Sequence, residues 1–326
     1  MREQGSAVAW VESPLQLLCA VEARHAGLLG PGVRVLARAG LPALNTTGAE
    51  LAALGLPAGL TIETAGALRP PRRATWVLGD AFSGRAQLAA LVAAPARTVV
   101  VDDGLATVRL LELLTSRPGT PLVRARAVPS RPRRMLGAAA GLRLRAAARA
   151  GRLTFFTALP VPAPLAAAVR ATGAELVRHD FPWLRGRPAA GHPRPAESTV
   201  VLGTSLVRDG LIHRDRYLSW LFALGVPLAY YPHRREDPRD LEKVRAHPGV
   251  TVYDGRAPVE MTLRGLGPGQ RVLSLPSTAV TSLRVLLAGR GVPVQAVEVP
   301  DDWWTASAPG SLRSHLQIFA LERPSP

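Results

Sequence analysis

Apolar segments of strand length alternate along the chain with longer segments in which apolar residues recur every three or four positions. A run such as 98–101 has the length and β-branched content of a buried strand, and 105–115 has helical spacing. This alternation is typical of βαβ units and predicts parallel sheets covered by helices. The predicted strands are 7–11, 33–37, 60–64, 75–80, 98–101, 199–202, 227–231, 250–253, 271–275 and 293–297. The predicted helices are 15–25, 47–55, 84–93, 105–115, 138–150, 213–224, 238–246, 258–265, 278–289 and 311–320.

A proline- and glycine-rich segment, 182–196, interrupts the alternation and is the best candidate for a linker. The chain has 326 residues, which suits two domains of roughly 100–200 residues each. We therefore expect an α/β protein with two Rossmann-like domains, 1–185 and 196–326, whose parallel sheets face a central cleft. The second domain is expected to end in a C-terminal helix.

Three polar motifs follow predicted strands directly. They are Asp102-Asp103-Gly104, Pro232-His233-Arg234 and Ser277-Thr278. In open α/β sheets, ligands bind outside the carboxyl ends of the strands. A carboxylate pair, a histidine and a hydroxyl pair at such positions indicate a base, an acid and an anion-binding site.

The order of these motifs resembles that of bacterial sialyltransferases, in particular the polysialyltransferase-like and lipooligosaccharide sialyltransferase families, which are GT-B type glycosyltransferases. Those proteins carry an acidic-acidic-Gly motif in the first domain, and a His motif followed by a Ser/Ser or Ser/Thr motif in the second. The segment Ser13-Pro14-Leu15-Gln16 is similar to their start. The resemblance implies an inverting transfer of sialic acid, or a related nonulosonic acid, from a CMP-sugar to a glycan or glycolipid acceptor.

The resemblance assigns the acidic motif to acceptor activation. Neighbouring residues of an extended segment point to opposite sides, so Asp102 and Asp103 cannot both face one proton. Asp103 is nearer the loop and matches the catalytic place of the motif, so we expect it to be the base. Asp102 is expected to orient it or to cap the next helix. The alternative for both residues is a turn and a helix N-cap.

The resemblance assigns donor binding mainly to the second domain. His233 can donate to the departing phosphate as an acid or as a cationic clamp, and Arg234 adds fixed charge. Ser277 and Thr278 begin a predicted helix, whose hydroxyls and N–H groups suit an anion. The resemblance also implies that Glu260 holds the donor ribose. The other expected donor-binding residues are Gly203, Thr204 and Ser13. Each assignment has a structural alternative. His233 could bond to the backbone at the end of a strand, Ser277 and Thr278 could cap the helix, and Glu260 could be a surface carboxylate of a helix.

Two positions beside the histidine differ from some relatives. Tyr231 stands where some have Lys, and Arg234 stands where some have Pro. These departures affect how the donor phosphate would be bound, and they favour the polysialyltransferase-like branch.

We expect no metal and no other cofactor, because histidine, hydroxyls and a helix N-terminus can neutralise a monophosphate leaving group. The single cysteine, Cys19, excludes an intrachain disulfide and a Cys-based metal cluster, and we expect a buried thiol. The other histidines show no metal-ligand spacing; they are His25, His179, His192, His213, His247 and His315.

Two further functions remain open at this stage. The same fold could use a UDP- or GDP-sugar, although a pyrophosphate usually needs a more basic or glycine-rich cradle. A non-catalytic protein that binds a nucleotide or carbohydrate is the other alternative. The chain has no Gly-x-Gly-x-x-Gly segment and no Walker loop, which argues against dinucleotide and ATP.

The chain is strongly basic, with a formal net charge of +16 from 39 Arg, one Lys and 24 acidic residues. The segment 124–152 holds nine Arg and no acidic residue, and Pro129, Pro132 and Gly137 are expected to break it. It is either a solvated basic face or a contact with an anionic membrane. Aromatic residues are only 5% of the chain, so we expect no nucleic-acid partner.

The expected location is the cytoplasm, with peripheral contact at the inner membrane face as an option. The chain has no uninterrupted apolar run of about 18 residues, which a membrane-spanning helix needs. Glu12 interrupts the first apolar run, unlike in a signal peptide. The segment Asp301-Asp302-Trp303-Trp304 is expected to pack the terminal segment or to contact the acceptor or the other domain.

Overall fold

The chain divides into two compact units, Met1–Pro188 and Ala189–Pro326. A computed structural model describes residues 6–68, 72–124, 129–189, 194–225, 227–253, 257–310, 313 and 316. Each unit is built on one parallel sheet with helices between its strands. The predicted α/β class with two parallel sheets is confirmed, whereas the central cleft stays a prediction.

The first unit contains a seven-stranded sheet in the order β3-β2-β1-β4-β5-β6-β7. Its strands are β1 Ala7–Val11, β2 Val33–Arg38, β3 Leu60–Ala65, β4 Thr75–Leu78, β5 Arg97–Val101, β6 Leu153–Thr157 and β7 Glu175–Arg178. All pairs are parallel, with Val100 of β5 opposite Phe155 of β6. The chain winds outward in one direction from β1 and in the other from β4, and such a switch point is where open sheets bind ligands.

Helices cover this sheet, so that its central strands are buried on both faces. They are α1 Pro14–His25, α2 Pro42–Ala53, α3 Gly84–Val92, α4 Leu105–Thr115, α5 Arg131–Arg149, α6 Ala163–Ala171 and α7 Pro182–Arg185. Alanines and leucines of α3, α4 and α5 pack with Trp76 and Phe155 into one apolar cluster. The valine run that predicted β5 is therefore a central strand.

Helix α5 corrects one expectation. Pro132 and Gly137 do not break it, because proline fits the first turn, where its missing N–H would have no partner. Gly137 instead allows close packing, since a Cβ there would lie 2.7 Å from the carbonyl oxygen of Leu122. The helix therefore starts at Arg131, seven residues before the predicted start at 138.

The basic stretch 124–152 is not wholly solvated either. The guanidinium of Arg145 is buried and donates to the carbonyls of Leu113 (2.6 Å) and Leu114 (3.1 Å) at the end of α4. Arg143 donates to the carbonyl of Ala93 (2.9 Å) after α3. Positive charge at these helix ends satisfies carbonyls that have no partner within their own helix.

The second unit contains a five-stranded sheet in the order β10-β9-β8-β11-β12, with every pair parallel. Its strands are β8 Thr199–Leu202, β9 Leu228–Tyr231, β10 Val250–Val252, β11 Arg271–Ser274 and β12 Val294–Ala296. Its helices are α8 Arg214–Ala223, α9 Pro238–Ala246, α10 Val259–Thr262 and α11 Thr278–Leu286. Here too the strand order changes direction, between β8 and β11.

The tryptophan pair after β12 packs within this unit. Trp303 and Trp304 are buried, and the Trp303 ring meets that of Trp220 edge to face. The carbonyl of Trp303 accepts from the backbone N–H of His213 at 2.8 Å. The packing interpretation of this segment is confirmed.

The predicted elements differ from the observed ones at several ends. The predicted helix 47–55 starts earlier, at Pro42, and 258–265 shortens to the four residues of α10. The elements β6, α6 and β7 were not predicted from the sequence. The predicted helix 311–320 lies outside the described residues, apart from 313 and 316. Within the described part of the chain, every helix is too short or too polar to cross a bilayer.

Candidate active site

The two carboxylates of the acidic motif point to opposite sides, as the alternation of an extended segment predicts. Asp102 faces the loop after β6, and Asp103 faces the start of α1 beside β1. Gly104 has φ +69° and ψ −142°, a backbone conformation that is almost restricted to glycine. This glycine turns the chain from β5 into α4 directly behind Asp103.

Asp103 is held by side chains from two distant parts of the first unit. Gln16 donates through Nε2 to its Oδ1 at 2.6 Å, and the hydroxyl of Ser13 donates to the same oxygen at 3.4 Å. The guanidinium of Arg124 donates to Oδ2 at 3.3 Å. The backbone N–H of Asp103 donates to the hydroxyl of Thr107 at 2.9 Å. The side chain remains partly exposed, so that a ligand can reach it.

The orientation of the Gln16 amide is fixed by its other end. Its Oε1 accepts from the backbone N–H of Glu12 at 2.7 Å, so its NH₂ group must face Asp103. Gly79 makes room for this amide, because a Cβ there would lie 2.3 Å from Oε1 of Gln16. The segment Ser13-Pro14-Leu15-Gln16 thus caps α1 through Ser13 and orients Asp103 through Gln16.

Asp80 and Arg124 belong to the same site and were not predicted as site residues. Asp80 follows β4, is buried, and pairs through Oδ2 with Arg124 at 2.7 Å. Burial alone would lower the pKa of Arg124, but the carboxylates of Asp80 and Asp103 raise it overall, so the guanidinium stays charged. The aspartate directly after an apolar run was a usable signal for Asp80, whereas no sequence pattern pointed to Arg124.

The carboxylate of Asp102 is buried and bonded inside the first unit. It accepts from the hydroxyl of Thr157 at 2.5 Å and from the backbone N–H of Ala158 at 2.6 Å. Its carboxylate oxygens thus bind the end of β6 and the first residue after that strand, and the expectation that Asp102 orients Asp103 or caps α4 stays a prediction. Nε2 of His179 lies 3.9 Å from Oδ2 of Asp102. Burial lowers the pKa of His179 to about 3, so this imidazole is neutral.

Cys19 lies in the same buried group. Its sulfur, a carboxylate oxygen of Asp102 and a ring nitrogen of His179 are all within 4.8 Å of one another. The buried thiol expected from the sequence is confirmed. The sequence analysis excluded only clusters made of several cysteines. The fold brings this mixed set of donors together from α1 and from the residues directly after β5 and β7.

The histidine motif of the second unit is built around Gly203, which follows β8. A Cβ at Gly203 would lie 2.3 Å from Oε2 of Glu236 and 2.6 Å from the backbone nitrogen of His233. That nitrogen donates to Oε2 of Glu236 at 2.9 Å. Tyr230, on β9, donates its hydroxyl to Oε1 of the same carboxylate. Glycine at 203 therefore lets Glu236 reach the turn that carries His233.

His233 is half-buried, and its ring is oriented by the backbone. Its Nδ1 accepts from the backbone N–H of Arg235 at 3.1 Å, so a neutral imidazole carries its proton on Nε2. Arg234 is exposed, and the guanidinium of Arg235 pairs with Asp209. The alternative of a backbone-bonded histidine therefore describes the contact of Nδ1.

Glu236 is a further residue that was not predicted. Burial raises its pKa to about 7, against the opposing hydrogen bonds from Tyr230 and from the backbone of His233. The hydroxyl of Tyr217 lies 3.0 Å from that of Tyr230 and continues the chain of hydrogen bonds inward. Its position three residues after His233 was the signal available in the sequence.

The hydroxyl motif lies at the N-terminus of α11. Ser277 is the N-cap residue in extended conformation, and its side chain makes no capping hydrogen bond. Its Oγ lies 3.3 Å from Oγ of Ser274, which is buried at the end of β11. Ser277 and Thr278 are both half-buried. A helix start with a hydroxyl that does not cap it is suited to an anion.

Glu260 and Thr204 make contacts inside the second unit. Glu260 is only 4% exposed and accepts from the hydroxyl of Ser282 on α11. Burial raises its pKa despite this hydrogen bond. The alternative of a surface carboxylate is therefore wrong. The hydroxyl of Thr204 accepts from the backbone N–H of Leu206 at 3.1 Å and shapes the loop after β8.

The structure thus forms two groups of predicted residues. Ser13 and Asp103 lie together in the first unit. In the second unit Gly203 contacts the turn of His233, and Glu260 contacts the helix that Ser277 and Thr278 begin.

No protein-family model matches the chain, and no curated protein matches it. Among solved structures, the chain is similar to the crystal structure of LpCGTa in complex with UDP, with 14% sequence identity and a TM-score of 0.45. That similarity covers 97% of this chain and 94% of the other. Because a fold can support many functions, the function has to be argued from the residues of the site.

Proposed function

We propose that the protein is a GT-B type glycosyltransferase that moves sialic acid, or a related nonulosonic acid, from a CMP-sugar to a hydroxyl of a glycan or glycolipid. One observation carries the proposal. Ser13 and Gln16, from the first motif of the resemblance, bind the carboxylate of Asp103, which belongs to the second motif. Residues about 90 positions apart in the chain therefore meet at the carboxyl ends of β1 and β5.

In the proposed reaction, Asp103 takes the proton of the acceptor hydroxyl. The acceptor oxygen then attacks the anomeric carbon, and the bond from that carbon to the phosphate oxygen breaks. Gln16 and Arg124 hold the carboxylate in one orientation, which keeps the base aligned with the acceptor oxygen.

The second unit holds the donor in this proposal. Nε2–H of His233 donates to the phosphate of the departing CMP, and the N-terminus of α11 with Ser277 and Thr278 binds its oxygens. Arg234 adds positive charge from the surface. These groups can neutralise one phosphate, so the proposed reaction needs no metal ion.

Glu260 is assigned a supporting role in donor binding. Its carboxylate is bonded to Ser282, one turn along α11 from Thr278, so it helps to place the start of that helix. We propose that it reaches the ribose through a change of partner on donor binding.

A thermal-shift panel with CMP, UMP, GMP and the corresponding diphosphates tests the donor class. A ligand at about 100 times its Kd stabilises the folded state by about 2.7 kcal/mol, and we expect CMP alone to raise Tm by several degrees. The response of the His233→Gln variant to CMP should be smaller. Selective stabilisation by UDP or GDP would replace the CMP-sugar with the other donor class. Binding of CMP without release of CMP from CMP-sialic acid in the presence of acceptors would indicate a binding protein.

A further inference from the structure

Exposed apolar side chains are concentrated on two helices of the first unit. Among the residues that the structure describes, the large apolar side chains with high exposure all lie on α3 and α5. The most exposed are Met135 at 73% and Val92 at 68%. Single exposed apolar residues are ordinary on protein surfaces, whereas a group of them marks a contact site. The full set is Leu88, Leu91, Val92, Met135 and Leu142, called here the α3/α5 face.

The geometry of the two helices makes this a single surface. On α5, Met135 and Leu142 are seven residues apart and therefore lie on one side of the helix. On α3, Leu88 and Val92 are four residues apart and also share a side. The helices pack against each other over the same side of the sheet, and Arg143 of α5 bonds to the end of α3. Their outward sides are therefore neighbours.

The charge of the same two helices is entirely positive. They carry seven arginines, one on α3 and six on α5, and neither contains an acidic residue. Arg85, Arg131 and Arg134 are exposed. The side chains of Arg143 and Arg145 bond to carbonyls, which leaves their charges in place. Exposed apolar side chains and exposed arginines on the same two helices combine the two attractions that bind proteins to anionic lipid.

We propose that the α3/α5 face docks the protein on an anionic membrane surface. The apolar side chains enter the headgroup region, and the arginines bind the lipid phosphates. A second copy of the chain is disfavoured as the occupant, because the exposed arginines Arg85, Arg131 and Arg134 would face the same arginines of the other copy. The proposal does not depend on the glycosyltransferase assignment.

The face is also connected to the candidate site of the same unit. The carbonyl of Phe82 accepts from Arg133 of α5 at 2.5 Å, and the guanidinium of Arg124 lies over the Phe82 ring at 5.9 Å. A lipid-anchored molecule held near the start of α5 would therefore lie close to Asp80 and Arg124.

Vesicle flotation with the full chain tests the proposal. We compare phosphatidylcholine vesicles that contain phosphatidylglycerol with pure phosphatidylcholine vesicles. The apolar variant is Leu88→Gln/Val92→Gln/Met135→Gln, and the charge variant is Arg131→Glu/Arg134→Glu. The control, Arg239→Glu/Lys243→Glu on α9, changes the net charge as much as the charge variant does. We expect binding to the anionic vesicles only, reduced at least about tenfold in both variants of the face and close to wild type in the control.

A second measurement needs no substitution. Oxidation of Met135 by hydrogen peroxide, followed by mass spectrometry, should slow when anionic vesicles are present, whereas the buried Met261 serves as the internal reference. Three results would overturn the proposal. They are no flotation with anionic vesicles, an equal loss of binding in the α9 control, and unchanged oxidation of Met135. A concentration-dependent dimer that the apolar variant abolishes would assign the face to a second copy instead.

Discussion

Nε2 of Gln16 donates a hydrogen bond to Oδ1 of Asp103 over 2.6 Å. The two residues lie at the start of α1 and directly after β5, and β4 separates β1 from β5 in the sheet. The other end of the amide is held by the backbone N–H of Glu12, so the bond has a fixed direction. Asp103 is therefore positioned by the first turn of α1.

Replacing Asp103 with asparagine should remove the proposed base while keeping the shape of the side chain. We expect the rate of transfer to fall by about 100-fold or more, because a positioned general base contributes that much. The affinity for CMP should not change, since the donor contacts are assigned to the second unit. CMP release and a CMP titration measure the two effects. Transfer at the wild-type rate would remove Asp103 from the mechanism.

Asp102→Ala is the matched comparison for that variant. It leaves the hydroxyl of Thr157 and the N–H of Ala158 without their buried acceptor. The expected cost is about 1–3 kcal/mol of unfolding free energy, measured by urea titration. A stability loss as large in Asp103→Ala would contradict the different roles given to the two carboxylates.

Replacing Gln16 with methionine should reduce kcat by about 10- to 100-fold through loss of alignment at Asp103. The KM for the donor should stay near wild type, and steady-state kinetics with varied donor separate the two constants. Gln87→Met is the control. Gln87 is also a buried amide of the first unit, but it bonds to the carbonyls of Ala81 and Leu122. An equal fall of kcat in both variants would indicate a general effect of destabilisation.

The strand-to-loop pattern predicted most of the fold and part of the site. The valine run 98–101 predicts a buried strand, because a strand covered on both faces must be apolar on both. The aspartates after it indicate a candidate site, because ligands bind at the carboxyl ends of such strands. The turn at Gly104 follows from the same pattern. The predictions were least accurate at helix starts, because Pro42 and Pro132 lie inside the first turn of α2 and α5, whereas these helices were expected to begin only at 47 and 138.

The missing parts of the site depend on contacts between distant segments. Arg124 lies in an arginine-rich stretch in which nothing distinguishes it, and only the fold brings it to Asp80 and Asp103. Glu236 is separated from Gly203 by 33 positions, and the close approach between them needs the register of β8 and β9. A pattern along one segment contains no information on such pairs.

His233→Gln should weaken the use of the donor more than it weakens the fold. Glutamine can still donate a hydrogen bond to a phosphate, but it loses the ring that the backbone N–H of Arg235 orients. We expect kcat/KM for the donor to fall by about 10- to 100-fold, with Tm within a few degrees of wild type. Donor hydrolysis without acceptor should fall in parallel. Unchanged kinetics would remove His233 from the site.

Gly203→Ala should disturb the histidine turn directly. Its Cβ would lie 2.3 Å from Oε2 of Glu236 and 2.6 Å from the backbone nitrogen of His233, so these neighbours would have to shift. The expected cost is about 1–3 kcal/mol, as for other overpacked sites. Gly84→Ala at the start of α3 is the control, because nothing lies within 4 Å of a Cβ there. Denaturant unfolding of both variants measures the difference, and equal stability would contradict the close approach.

Glu236 should make stability depend on pH in a defined direction. Burial raises its folded pKa from 4.5 to about 7. Between these values the folded state binds the proton and the unfolded state has lost it, so stability falls as pH rises from about 4.5 to about 7. Above pH 7 both states are ionised, and the full cost of the buried charge remains.

The Glu236→Gln variant removes this titration while its amide can still accept from the backbone of His233 and donate to Tyr230. We therefore expect the Tm of wild type minus that of the variant to decrease from pH 5 to pH 8, and calorimetry at several pH values measures it. Burial likewise raises the pKa of Glu22 to about 7, but this effect is common to both proteins and cancels in the difference. Glu242→Gln on the exposed side of α9 is the control. A difference that is constant with pH, or that increases as pH rises, would contradict the raised pKa of Glu236 and would show that its carboxylate is already ionised at pH 5.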